Sequence, residues 1–214
     1  MSTIADNIGL VSQRIRAAAD AVQRDASSIH LLAVSKTKPA QAVREAYAAG
    51  LRDFGENYLQ EALGKQAELT DLPLSWHFIG PIQSNKTRAI AENFAWVHSV
   101  DRLKIAQRLS EQRPADLPPL NICIQVNVSG EASKSGCTPA DLPALATAIS
   151  ALPRLKLRGL MAIPEPTEDR AEQDAAFATV RDLQASLNLP LDTLSMGMSH
   201  DLESAIAQGA TWVR

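Results

Sequence analysis

Apolar residues recur along this chain in two alternating rhythms. Near the N-terminus Ile4, Ile8, Val11, Ile15, Ala19 and Val22 fall three or four apart, which is one apolar stripe on a helix. Such a stripe can bind a partner, but docking on the helix's own domain is the commoner use. After it come short apolar runs at His30–Ser35, Arg52–Gly55, Trp76–Ile79, Trp96–His98, Ile122–Asn127, Leu155–Ala162, Thr193–Met196 and Thr211–Val213. Amphipathic, Ala-rich stretches separate them: Pro39–Ala49, Tyr58–Leu69, Lys86–Phe94, Asp101–Gln112, Pro139–Leu152, Glu168–Leu187 and Ser199–Gln208. Strand and helix alternating about every 26 residues is the βαβ pattern of a parallel sheet.

Eight strands with seven helices between them is the count for a single TIM-type (β/α)8 barrel. The N-terminal helix, over about residues 3–24, is additional, and residues 1–214 read as one barrel domain. A doubly wound open sheet is the main competitor, but its GxGxxG turn after the first strand is missing. Thr138-Pro-Ala-Asp141 reads as a capping box with Pro at the first helical position. Gly50 and Gly209 suit helix C-termini.

Composition narrows the classes. Hydrophobic residues make up 45% and charged residues 21%, an ordinary globular balance that excludes disorder. Net charge is −3 and no basic stripe occurs, so no nucleic-acid partner is expected. No apolar run is long enough to span a membrane, and no signal peptide is visible. The two cysteines, Cys123 and Cys137, have neither CxxC nor zinc spacing; Cys123 reads as a small core residue. A cytoplasmic, monomeric protein is the expectation.

In a barrel, the site is built from the loops at the strand C-termini. Lys36 ends the first run. Partial desolvation there would lower its pKa and free the neutral amine needed to form an imine. A lysine reaching past the strand end into solvent is the commoner reading of the same residue. Ser195-Met-Gly-Met-Ser199 joins a strand to a helix starting near Ser199. Its backbone N–H groups could bind an anion, or Ser199 could be a plain N-cap, with Asp201 and Glu203 complementing the dipole. Gln83-Ser-Asn-Lys86 offers the same choice, with a cap favoured. His77 and His98 flank aromatic residues and read as packing groups. Ser199-His200-Asp201 cannot converge as a triad, because adjacent helical residues point about 100° apart.

Six segments in order carry a resemblance: Ala33-Val-Ser-Lys-Thr-Lys-Pro39, Phe54-Gly-Glu-Asn-Tyr58, Trp76-His-Phe-Ile-Gly-Pro-Ile-Gln-Ser-Asn-Lys86, Gln125-Val-Asn-Val-Ser129, Arg158-Gly-Leu-Met-Ala-Ile-Pro164 and Leu194-Ser-Met-Gly-Met-Ser199. From about residue 29 onward the chain resembles the pyridoxal phosphate homeostasis protein family. The resemblance implies a barrel related to the N-terminal domain of alanine racemase, with pyridoxal 5′-phosphate (PLP) at the strand C-termini. It implies that Lys36 forms a Schiff base, that Ser199 holds the phosphate, and that Arg214 faces the pyridine nitrogen. Met161 would line the ring face, Asn57 would lie in the pocket, and Lys134 is a weaker candidate nearby. It also implies a continuation past Val213-Arg214, with a Gly-Thr pair that helps hold the phosphate and completes the eighth strand. If that tail is absent, a weaker phosphate site and a looser seam are expected.

The function so implied is non-catalytic: reversible PLP binding, buffering of the free aldehyde, and delivery to PLP-dependent apo-enzymes. The alternative is an amino-acid racemase of weak activity. Two-base racemisation needs a second base opposite Lys36. In the resembling racemases a Tyr from a β-rich second domain supplies it. Here the candidates are Tyr47, expected to be buried on a helix, and Tyr58, expected to pack at a helix start. A third reading is a protein-interaction module with no cofactor.

Overall fold

A computed structural model describes residues 2–214. Its strands are β1 (His30–Leu31), β2 (Ala33–Val34), β3 (Asp53–Glu56), β4 (Ser75–Phe78), β5 (Trp96–Val100), β6 (Leu120–Gln125), β7 (Leu155–Met161), β8 (Thr193–Ser195) and β9 (Trp212–Val213). They form one sheet in the order β1-β9-β8-β7-β6-β5-β4-β3-β2, and every pairing is parallel. The sequence pattern predicts one strand over His30–Ser35. The structure divides it at Leu32. The N-terminal half pairs with β9 and the C-terminal half with β3. Leu32 N–H donates to Val213 O at 2.9 Å, and Ser35 N–H donates to Gly55 O at 3.0 Å. One strand thus faces both neighbours in turn and closes the ring, so the expected eight-position barrel is present as nine short segments.

The helices are α1 (Ile4–Ala21), α2 (Ala40–Ala48), α3 (Leu59–Glu68), α4 (Thr87–Asn93), α5 (Leu103–Gln112), α6 (Leu142–Ser150), α7 (Arg170–Ser186) and α8 (Leu202–Ala207). α1 starts at a capping box in which Thr3 and Asp6 bond each other's backbone N–H. It stops short of residue 24, because Gln23 takes a left-handed φ of 57°. α1 packs against α2 and α8 through Ile4, Ile8, Val11 and Ile15, so its stripe is used internally. Gly50 and Gly209 do end helices, with φ of 105° and 103°. The Thr138–Asp141 pair bonds as expected (Asp141 N–H to Thr138 Oγ1, 3.1 Å), but on a turn preceding α6, whose proline is Pro143. The helix expected from Ser199 begins at Leu202.

Because side chains alternate across a strand, the barrel has two cores. Outward residues such as Phe54, Phe78, Val97, Ile122, Ile124 and Leu160 pack beneath the helices. Leu32, Ile79, Trp96, Cys123, Met161 and Trp212 fill the lumen. Both cysteines are buried and free. Among the described residues no helix is long and apolar enough to cross a membrane.

Candidate functional site

The C-terminal mouth collects Lys36 after β2, Asn57 after β3, Met161 at the end of β7, Ser199 after β8 and Arg214 after β9. Lys36 is exposed. Among the described residues its amine has no hydrogen bond or ion pair. The expected partial desolvation is therefore corrected. Lys36 lies beyond the last ladder bond at Ser35, and Thr37, at φ 63°, turns the chain outward.

The backbone on either side of Lys36 is held from below. Lys65 of α3, 5% exposed, donates to Ser35 O and lies 2.6 Å from Glu56 Oε1 and 2.7 Å from Glu61 Oε1. Ser35 Oγ donates to Glu56 Oε1 at 2.8 Å, and Thr37 N–H donates to Glu61 Oε1. The Lys65 ammonium holds the Glu61 carboxyl below its usual range. Lys36 is thus an exposed, unpaired amine on a clamped stem. Sequence reading missed this clamp, although Glu61 and Lys65 at i,i+4 on a predicted helix were a visible signal.

Asn57 is half-buried, and its Oδ1 is fully buried without a partner. Gly80 lies against its backbone: a Cβ at residue 80 would stand 2.5 Å from Asn57 O. Arg214 likewise has a buried, unpartnered Nε, while its Nη2 reaches Ser195 O at 3.4 Å. Burial pushes its guanidinium down to about 10, so it remains a cation at neutral pH. Two buried polar atoms without partners at one mouth suit a polar ligand, since each costs free energy until it is paired. Met161 is fully buried and floors the site among the lumen residues.

The Ser195–Ser199 turn is shaped by Gly197. Its φ is 100°, and a Cβ there would lie 2.5 Å from the Ala205 side chain. Gly197 O accepts Arg214 N–H at 2.9 Å, tying the turn to the end of β9. Ser199 is not the N-cap of α8. That place belongs to Asp201, whose Oδ1 accepts Met198 N–H at 2.6 Å. The Ser199 hydroxyl is exposed, and its carbonyl accepts from Arg14 Nη2 at 2.8 Å. Arg14 also pairs with Glu203 at 2.8 Å, so α1 braces the turn, a contact no sequence signal announced. Ser199, Arg214, Leu32 and Val34 share a cleft of about 310 Å³ with α1.

Other expectations resolve differently. Lys134 pairs with Glu131 of its own loop at 3.8 Å. Gln83–Lys86 provides no side-chain cap; Ser84 O accepts from Thr87 Oγ1 and Arg108 Nε. Tyr58, expected to pack, is 55% exposed at the start of α3. Tyr47, expected to be buried, is half-buried on α2 with Arg52 3.8 Å above its ring.

Comparison with known proteins places this architecture. Residues 11–214 match the alanine racemase N-terminal domain family. The pyridoxal phosphate homeostasis protein of Pseudomonas aeruginosa is 78% identical over 214 residues, covering all of this chain and 93% of that one. The chain belongs to the pyridoxal phosphate homeostasis protein family. PipY from Synechococcus elongatus, solved with PLP bound, is 45% identical with a TM-score of 0.86, covering 99% of this chain and 97% of that one. Alanine racemase from Corynebacterium glutamicum shares the fold at 17% identity and a TM-score of 0.67; 95% of this chain corresponds to 58% of the racemase. The resemblance read from the six motifs and the expected barrel are both borne out.

Proposed function

We propose that this chain binds PLP at its C-terminal mouth, reversibly and without catalytic turnover, and serves as a carrier and buffer of the cofactor inside the cell. The observation that carries the reading is the near-complete correspondence with a family member solved with PLP bound. The residues present fit the group. Lys36 offers an unpaired amine to an aldehyde. Arg214 brings a half-buried cation with a buried, unpaired Nε–H, and Asn57 a buried unpaired Oδ1. The exposed Ser199, on the turn whose close packing Gly197 permits, would hold the phosphate. When bound, the cofactor supplies an aldehyde that exchanges between amines, so an incoming amine can release it from Lys36. The chain's own work is to hold, orient and let go.

Further parts of this proposal are that residues 1–214 form one PLP-binding domain, that the protein is a cytoplasmic monomer, and that PLP-dependent apo-enzymes receive the cofactor. The exposed mouth favours exchange: no packed segment must move for Lys36 to meet a second amine. The racemase reading lacks a positioned second base, since neither tyrosine hydroxyl has a hydrogen-bond partner among the described residues.

The test is a PLP titration followed by visible absorption, in wild type and in Lys36→Ala. A band in wild type that is lost in the variant is expected. No band in wild type overturns the cofactor reading. A band unchanged in the variant removes Lys36 as the attachment point.

A further inference from the structure

The lumen holds a line of polar side chains that the cofactor reading leaves unused. At the opposite mouth, Asp53 at the start of β3 lies 3.0 Å from His77 Nε2, with Ser75 Oγ 3.3 Å from the same nitrogen. His77 Nδ1 lies 2.9 Å from His98 Nε2, and His98 Nδ1 lies 2.7 Å from Ser195 Oγ. His77, His98 and Ser195 are fully buried. Their strands, β4, β5 and β8, are not all neighbours, so the line crosses the barrel.

Its polarity is forced. A carboxylate only accepts, so His77 Nε2 carries the proton. A neutral imidazole then accepts at Nδ1, which makes His98 Nε2 a donor, His98 Nδ1 an acceptor and the Ser195 hydroxyl the final donor. Trp96 stacks on His77 at 5.4 Å, and Trp212 stands edge-on to His98 at 6.5 Å, so the rings are walled from water. Burial pushes both imidazoles below their usual pKa, His98 the further because His77 and Arg214 adjoin it. Ser195 ends β8, and its carbonyl accepts from Ala162 N–H at 3.2 Å and from Arg214 Nη2 at 3.4 Å.

We propose that Asp53, on the far side of the barrel, is a positioning residue for the cofactor mouth: through His77 and His98, both locked as neutral Nε2–H tautomers, it fixes Ser195 and thereby the seat of Arg214. The tautomer lock stands on the lumen geometry alone. Its effect on PLP rests on the function proposed above.

Long-range 15N–1H NMR of the imidazoles in the PLP-free full chain tests the lock. Wild type should show single Nε2–H tautomers at both histidines. Asp53→Asn replaces the obligate acceptor with a group that can donate, so the Nε2–H fraction at His98, two hydrogen bonds away, should fall. A His98 that is Nδ1–H in wild type, or unchanged in the variant, overturns the proposal. Should Asp53→Asn fail to fold, His77→Phe must likewise abolish the single tautomer of His98. PLP titration of the folded Asp53→Asn variant should show an affinity roughly threefold to tenfold weaker than wild type. Equal affinities overturn the positioning role. Absence of binding by wild type removes the cofactor reading and the positioning role with it, while the tautomer measurement still decides the lock.

Discussion

Lys65 and Glu56 form a buried ion pair, 2.6 Å between Nζ and Oε1, and the same ammonium holds the carbonyl of the residue before Lys36. Removing one member of such a pair leaves an uncompensated buried charge, which costs about 3–5 kcal/mol. Lys65→Met is expected to lower the free energy of unfolding by about that much, measured by urea denaturation. Glu61, partly exposed and bound to Thr37, should behave differently. Glu61→Gln is expected to cost about 1 kcal/mol or less but to speed hydrogen exchange at the Thr37 amide. A stability loss as large as that of Lys65→Met would show that the two carboxylates are equivalent.

The Arg14 brace predicts a ligand-selective effect. Its side chain is 41% exposed, so Arg14→Ala should change stability by about 1 kcal/mol or less. It frees the Ser199 carbonyl and loosens the turn proposed to hold phosphate. Affinity for PLP should fall, while affinity for unphosphorylated pyridoxal stays constant. Equal losses for both ligands would place the effect elsewhere.

Gly197→Ala meets two penalties at once: a positive φ and a Cβ 2.5 Å from the Ala205 side chain. A loss on the order of 1–3 kcal/mol is expected in denaturation. Gly64 has nothing within 4 Å of its Cβ position and no positive φ, so Gly64→Ala on α3 should instead be neutral or stabilising.

The two lumen imidazoles make stability pH-dependent. Both pKa values are lowered in the fold, His77 despite the opposing pull of Asp53. Between the ordinary histidine value near 6.5 and the lowered folded values, the unfolded chain binds protons that the native chain does not. Stability is therefore complete above about pH 6.5 and falls as pH drops below it, by up to about 1.4 kcal/mol per pH unit for each histidine. Urea midpoints at pH 7.5 and pH 5.5 should differ, and the difference should shrink in His98→Gln. An unchanged difference would assign the acid sensitivity to carboxylates.

If the mouth lacks a second base, protein loaded with PLP should form no D-alanine from L-alanine, and Tyr58→Phe should match wild type in a chiral assay. Turnover lost on that substitution would instead make the exposed Tyr58 a catalytic residue.

The alternation of apolar runs and amphipathic stretches determined the barrel, because each strand must bury both faces and each helix one. The motifs placed Lys36, Asn57, Met161 and Ser199 at strand ends, the last apolar run placed Arg214 there, and topology then set all five at one mouth. Local pattern could not show that Leu32 divides the first strand, since that split depends on two neighbours distant in sequence. Nor could it show that Lys36 is exposed while Lys65 is buried, because exposure is decided by what packs above a residue. His77 and His98 read as packing groups, and they do pack. Only the closed ring, bringing β3, β4, β5 and β8 around one lumen, turned them into a hydrogen-bonded line, because inward residues of strands far apart in sequence meet only when the sheet closes.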